Sequence, residues 1–193
     1  SLYIISDKGD LVERYDKMFC RGDSKAASRD LLHYSPGDHL CVFTVKGLTC
    51  GALICHDFRY QELFREYKRK GVQVLFHSYH NGHLTKEEIE TNGNIHGVIV
   101  PPTMQAYAAN NYMWISANNT SRKESSWPGF FVQPDGVISG RLSRNKAGVL
   151  ISEVDTAKKF YDASVNWRDR AMKGIYHSGK VVKDGRSSER CEL

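Results

Sequence analysis

The sequence predicts a mixed α/β layered domain built on a substantial sheet. Three observations carry that reading. Apolar runs of strand length alternate with helical patterns through the middle of the chain, and hairpin signals stand at both ends. The run Gly51-Ala-Leu-Ile-Cys55 also passes without a spacer into the helical pattern that begins at His56. The 193 residues suit one substantial domain over 1–193, with 162–193 as an extended, polar C-terminal tail.

Taken in order, residues 2–6 and 11–15 are β-type, joined by the turn Asp7-Lys-Gly-Asp10. Lys17 to Asp38 is a long polar stretch ending in the turn Ser35-Pro-Gly-Asp38, and loops of that length are usually functional or disordered. Strands are expected at 41–46 and 50–55, then a helix over 59–70 with Leu63, Phe64 and Tyr67 on its apolar face and a stop at Gly71. Val72–Phe76 reads as a strand, His77–Asn94 as polar loop with one turn near 86–90, and 102–111 as a helix. Tyr112–Ala117 is a strand. Strands at 129–133 and 137–142 flank the hairpin turn Pro134-Asp-Gly136. A last strand is expected at 147–153, with Asp155 capping a helical segment at 156–161.

Composition narrows the function classes. A hydrophobic content of 40% and a charged content of 25% are those of a globular protein, and no run of eighteen apolar residues predicts a transmembrane helix. The start Ser1-Leu-Tyr-Ile-Ile5 has no basic n-region or small-residue cleavage site, so it does not read as a signal peptide. The net charge of +5 is spread among acids, and no nucleic-acid reader motif accompanies it; neither a nucleic acid nor a membrane is expected as a partner. Five cysteines without a CxxC pair point to a reducing, cytoplasmic compartment.

Cys55 is the centre of the chemistry. A strand that ends in a cysteine and turns at once into a helix presents the sulfur at a backbone corner, beside amides with no intrahelical partner. Such a corner stabilises a thiolate or an oxyanion. A buried structural thiol at a strand end is the plainer alternative. Lys17, two residues beyond a strand, offers a positive charge.

At these residues the chain resembles the nitrilase, or carbon–nitrogen hydrolase, superfamily. Asp10-Leu-Val-Glu-Arg-Tyr-Asp-Lys17-Met-Phe resembles the family's lysine segment, and Gly51-Ala-Leu-Ile-Cys55-His-Asp57-Phe-Arg59-Tyr-Gln-Glu62-Leu-Phe-Arg65 its nucleophile segment. Met104 to Asn118 and Ser126 to Gly136 follow the downstream pattern in order. The resemblance implies a four-layer αββα sandwich of the nitrilase type, N-terminally truncated, and hydrolysis of a linear amide or N-carbamoyl compound with release of ammonia. It implies Cys55 as nucleophile, Lys17 as oxyanion stabiliser together with the backbone N–H of His56, a glutamate as proton shuttle, and no cofactor. It places His77, Ser78, Tyr79 and His80 at the rim of the substrate pocket, with an ordinary polar loop as the alternative, and Asn118 and Asn119 near that pocket, with turn-forming asparagines as the alternative. It also implies a small-molecule substrate and a homo-oligomer, a dimer or larger, contacting through residues 60–70 and 162–193.

The chain departs from the pattern in one place. The family's base glutamate precedes the lysine, whereas here Glu13 sits mid-strand in the wrong register and residues 18–54 contain no glutamate. Asp30 is the candidate for a second carboxylate that orients Lys17, with a solvated loop acid as the alternative. A catalytically inactive binding or assembly subunit and an N-acyltransferase remain the other function classes. His77, His80 and His83 lack the partners of a zinc set, so no metal is expected. Asp57 and Arg59 are read as holding the elbow, Trp127 and Phe130 as core or interface, and Cys20, Cys41, Cys50 and Cys191 as inert.

Overall fold

The computed structural model describes residues 1–22, 29–91 and 93–180. β1 (Leu2–Ile5) and β2 (Leu11–Tyr15) form the expected antiparallel hairpin, with Leu2 opposite Tyr15 and Gly9 at φ +89° in its turn. Among the described residues between β2 and β3, the one helical element is a 3-10 turn at Arg29–Leu32.

The remaining strands build one six-stranded sheet. They are β3 (Val42–Val45), β4 (Leu48–Ile54), β5 (Val74–Ser78), β6 (Trp114–Asn118), β7 (Phe130–Val132) and β8 (Ile138–Arg141), and they lie in that spatial order. β4, β5 and β6 run parallel, because each connection is a helical crossover; β3, β7 and β8 join antiparallel through short turns. The crossovers are α1 (Gln61–Arg69) and the pair α2 (Lys86–Thr91) and α3 (Ile95–Asn111). The described residues thus form a mixed α/β fold with two sheets, the hairpin and the six-stranded sheet.

The helices pack on one face of the large sheet. Leu53, Leu75, Ile115, Ala117, Val100 and Met104 are fully buried there, and Phe64 of α1 meets Tyr107 of α3 at 4.3 Å between ring centroids. Gly51 makes room for α1, since a Cβ at that position would stand 2.7 Å from the Tyr67 ring. Tyr67 Oη, so admitted, donates to the Ala52 carbonyl at 2.6 Å. On the opposite face Phe76 and Val45 stay 36% and 45% exposed.

Three expectations need correction. α3 starts at Ile95 rather than at 102, and Pro101 and Pro102 lie inside it. Burial of Val100 and Met104 against the sheet outweighs the donors the prolines remove. Residues 147–153 alternate like a strand but pair with none, leaving Val149 and Ile151 87% and 92% exposed. Asp155 starts no helix; its Oδ1 accepts from the amides of Ala157 (2.9 Å) and Lys158 (3.3 Å), closing a turn.

The tail is likewise not wholly extended, since α4 (Arg168–Met172) interrupts it. Arg168 Nε donates to the Asn110 carbonyl at 2.8 Å and its guanidinium pairs with Asp162, which fixes this segment to the end of α3. Cys191 and the rest of 181–193 lie outside the described residues. No helix among the described residues is long and apolar enough to cross a membrane.

Candidate active site

β4 delivers Cys55 into a 3-10 turn over Cys55–Arg59, and Cys55 itself takes φ +47°. A side chain with a Cβ is strained in that left-handed region by roughly 1–2 kcal/mol, and such strain persists only where surrounding contacts impose it. Two sets of contacts do so here.

The first is Asp57, fully buried two residues beyond the cysteine. Its carboxylate accepts from the amide of Ile54 (3.1 Å), from Tyr15 Oη (2.7 Å) and from the amide of Phe19 (2.9 Å). Burial raises its pKa, while the amide of Phe19, the Tyr15 hydroxyl and the amide of Ile54 counteract that rise. Asp57 therefore ties the elbow to β2 and to the segment carrying Lys17. Asp57 thus holds the elbow locally through the Ile54 amide and adds a long-range clamp through Tyr15 and Phe19. Arg59 lies over the Phe58 ring at 4.9 Å.

The second is His77. Its Nε2 is 3.2 Å from the Cys55 carbonyl oxygen, and its Nδ1 is 3.2 Å from Tyr79 Oη. Burial pushes the imidazole down to about 3, so the ring is neutral; Nε2–H donates to Cys55 and Nδ1 accepts from tyrosine. The His77 and Tyr79 rings stack at 4.2 Å. This pair carries a pH signature. The unfolded chain protonates His77 near 6.5 and the folded chain resists protonation down to about 3. The unfolded state thus binds more protons between those values, and stability falls as pH drops through that window, by up to about 1.4 kcal/mol per pH unit. Urea titrations at pH 7, 5 and 4 should show this slope in the wild type and a flatter one in His77→Phe; parallel slopes would refute it.

Lys17 lies on the segment that Asp57 holds. Its Nζ donates to Asp30 Oδ2 at 2.5 Å, and the same oxygen accepts from the amide of Arg21 at 2.9 Å. Burial works against the Asp30 carboxylate, but the Lys17 ammonium and the Arg21 amide outweigh it and hold its pKa below the ordinary range. Asp30 is thus bonded to Lys17, in the arrangement expected of an orienting carboxylate.

Cys55, Lys17, Asp30, His56, Tyr79 and His80 all line one cavity of about 1210 Å³. Ser78 lines it too, whereas His77 lies buried beneath. Asn119 stands elsewhere. Its Nδ2 donates to the carbonyls of Asn81 (3.1 Å) and Trp127 (2.8 Å) and its Oδ1 accepts from the Asn81 amide, so it stitches together two loops that border the cavity. His83 turns to Arg122 at 2.7 Å, and no group of three potential metal ligands occurs among the described residues.

Cys41 and Cys50 are buried, and burial pushes the Cys41 thiol up to about 11. Cys20 lines the cavity, and burial raises its thiol despite the charge of Lys17. Sequence reasoning did not assign Arg21, His33, His39, Asn81 or His96 to this cavity, and it read Trp127 as core or interface rather than wall. Trp127 is 4% exposed and stands edge-on to Tyr79 at 5.4 Å.

A cysteine on a left-handed elbow and a lysine–carboxylate pair line one cavity beside the parallel strands of a mixed α/β sheet. The carbon-nitrogen hydrolase family model matches residues 1–159, and the chain belongs to that family. Among solved structures it is similar to Nit3 of Saccharomyces cerevisiae, a member of branch 10 of the nitrilase superfamily. There the TM-score is 0.58 at 18% identity, over 73% of this chain and 48% of that one. It is also similar to the amidase from Nesterenkonia sp. AN1, with TM-score 0.63 and 18% identity over 88% of this chain and 60% of that one. That amidase was solved as a mutant showing Michael addition of acrylamide at its active site cysteine. The chain therefore spans 48% and 60% of the lengths of these two structures. No curated protein matches the chain significantly.

Proposed function

We propose that this protein hydrolyses a non-peptide carbon–nitrogen bond, in a linear amide or an N-carbamoyl compound, through a thioester on Cys55. Cys55 Sγ attacks the carbonyl carbon, and the C=O electron pair moves onto oxygen. The Lys17 ammonium and the amide of His56 are the donors available to that oxyanion. Collapse expels the nitrogen, which takes up the proton given up by the Cys55 thiol and leaves as ammonia. Water then attacks the thioester, the carboxylic acid (from an N-carbamoyl compound, the carbamic acid) departs, and a proton from that water restores the thiol. Among the described residues the cavity's carboxylates are Asp16, Asp30 and Asp38, and the shuttle glutamate that the family resemblance implies is not one of them.

The observation that carries the reading is the placement of Cys55, at φ +47°, in the same cavity as the Lys17–Asp30 pair. A second reading is a binding subunit without turnover, which would hold a ligand in the same cavity. Covalent labelling separates the two. Fluoroacetamide followed by peptide mass mapping should label Cys55 at least about tenfold faster than Cys20, and amides should release ammonia. Equal labelling of both thiols without ammonia release would favour the binding subunit.

A further inference from the structure

His77 is a polar residue in the middle of an apolar layer. On β5 it pairs with Leu53 of β4 and Ala117 of β6, and all three are fully buried. The Tyr79 ring stacks on it at 4.2 Å and the Phe64 ring stands at 6.1 Å. An imidazole in such a place costs desolvation that a leucine would not, unless its ring nitrogens are bonded. Both are. Tyr79 Oη donates to Nδ1 at 3.2 Å, which fixes the proton of the neutral ring on Nε2, and Nε2–H donates to the Cys55 carbonyl at 3.2 Å.

That carbonyl belongs to the peptide unit whose other end is the His56 N–H. In a planar trans peptide the C=O and N–H point in opposite directions. His77 lies buried beneath the cavity, whereas Cys55 and His56 line it. A carbonyl held from beneath therefore sends the His56 N–H the other way. As the second residue of the 3-10 turn Cys55–Arg59, His56 has no partner for that N–H within the turn. Asp57 acts upstream, on the Ile54 amide, and does not set this rotation.

We infer that His77 is a positioning residue of the reaction: from beneath the elbow it turns the Cys55–His56 peptide so that the His56 N–H faces the cavity as an oxyanion donor. Tyr79 holds His77 in the tautomer that does so. The oxyanion is that of the hydrolase reading, on which this inference rests; the orientation of the peptide stands on the hydrogen bonds.

Hemithioacetal formation tests the donor apart from turnover, since it needs neither a leaving group nor water. Cys55 Sγ adds to the carbonyl carbon of propionaldehyde and the thiol proton passes to the oxygen. Aldehyde enriched in carbon-13 at that carbon gives the dissociation constant by NMR. His77→Phe keeps a ring against Tyr79 and removes the donor. It should weaken the adduct about tenfold and lower kcat roughly 10²-fold on the fastest of the linear amides from acetamide to hexanamide, with little change in KM. His77→Gln returns an N–H and should recover most of both losses; Tyr79→Phe should weaken the adduct about threefold. Methyl methanethiosulfonate modifies Cys55 by attack of sulfur on sulfur with loss of methanesulfinate, and no oxyanion forms. Its rate at Cys55, read by peptide mass mapping, should match the wild type in all three variants. Should His77→Phe not fold, Tyr79→Phe decides by the same two readouts. Wild-type aldehyde affinity in the variants, a loss that His77→Gln does not recover, an equal loss in thiol modification, or a wild type that forms no hemithioacetal would overturn the inference. A His77-dependent adduct without ammonia release from any of the amides keeps the peptide orientation and removes the hydrolase reading; ammonia release with a His77-independent adduct does the reverse.

Discussion

Lys17→Met is expected to lower kcat by roughly 10²–10³-fold, the usual loss when a donor to a developing oxyanion is removed. Methionine keeps much of the aliphatic stem and deletes the charge, so the fold should be retained. The effect should fall on kcat more than on KM, because the charge it answers exists fully only in the transition state. Asp30→Asn should cost less, about tenfold, since Asp30 acts by holding Lys17 at 2.5 Å rather than by touching the reacting atoms. Steady-state kinetics beside a circular-dichroism melt decides the matter. A Lys17→Met protein that melts normally and keeps more than a third of wild-type kcat would remove Lys17 from the mechanism.

Asp57→Ala should destabilise the protein by roughly 3–5 kcal/mol. Its carboxylate is the acceptor for the Tyr15 hydroxyl and for the amides of Phe19 and Ile54, and alanine would leave all three without it in a fully buried place. Asp57→Asn keeps one acceptor oxygen of the same shape and should lose about half as much. Urea denaturation of the two variants gives the comparison; an Asp57→Ala protein within 1 kcal/mol of wild type would show that water replaces the carboxylate at no great cost. Because Asp57 joins the elbow to the Lys17 segment, Asp57→Ala should also lose activity at temperatures well below its melting point.

The elbow was legible in the sequence because its signal is local: an apolar run, a cysteine and a polar helical pattern follow without a spacer. The opening hairpin was legible for the same reason, since Asp7-Lys-Gly-Asp10 supplies its turn. The misreadings have a common cause. The Pro101–Pro102 pair carries the local signature of a helix start, and only packing against the sheet shows that α3 begins earlier. Residues 147–153 have the alternation of a strand, but alternation does not supply a neighbour to pair with. The cavity shows the same division. Cys55 and Lys17 declare themselves in short motifs, whereas Arg21, His39, Asn81 and His96 reach the same space from four separate segments. His77 read as the first residue of a loop; its place under the Cys55 carbonyl follows from the parallel pairing of β4 and β5, which sets Leu53 beside it.

On the proposed mechanism, the left-handed backbone at Cys55 sets reactivity against durability. Glycine would occupy φ +47° without the penalty a Cβ incurs. Sequence drift at this position under selection for stability alone would therefore move away from cysteine, toward a sturdier and chemically silent chain. On that mechanism, a sulfur at a left-handed residue just beyond β4 is stability given up in exchange for chemistry, and the buried clamps of Asp57 and His77 keep that exchange within the fold's reach.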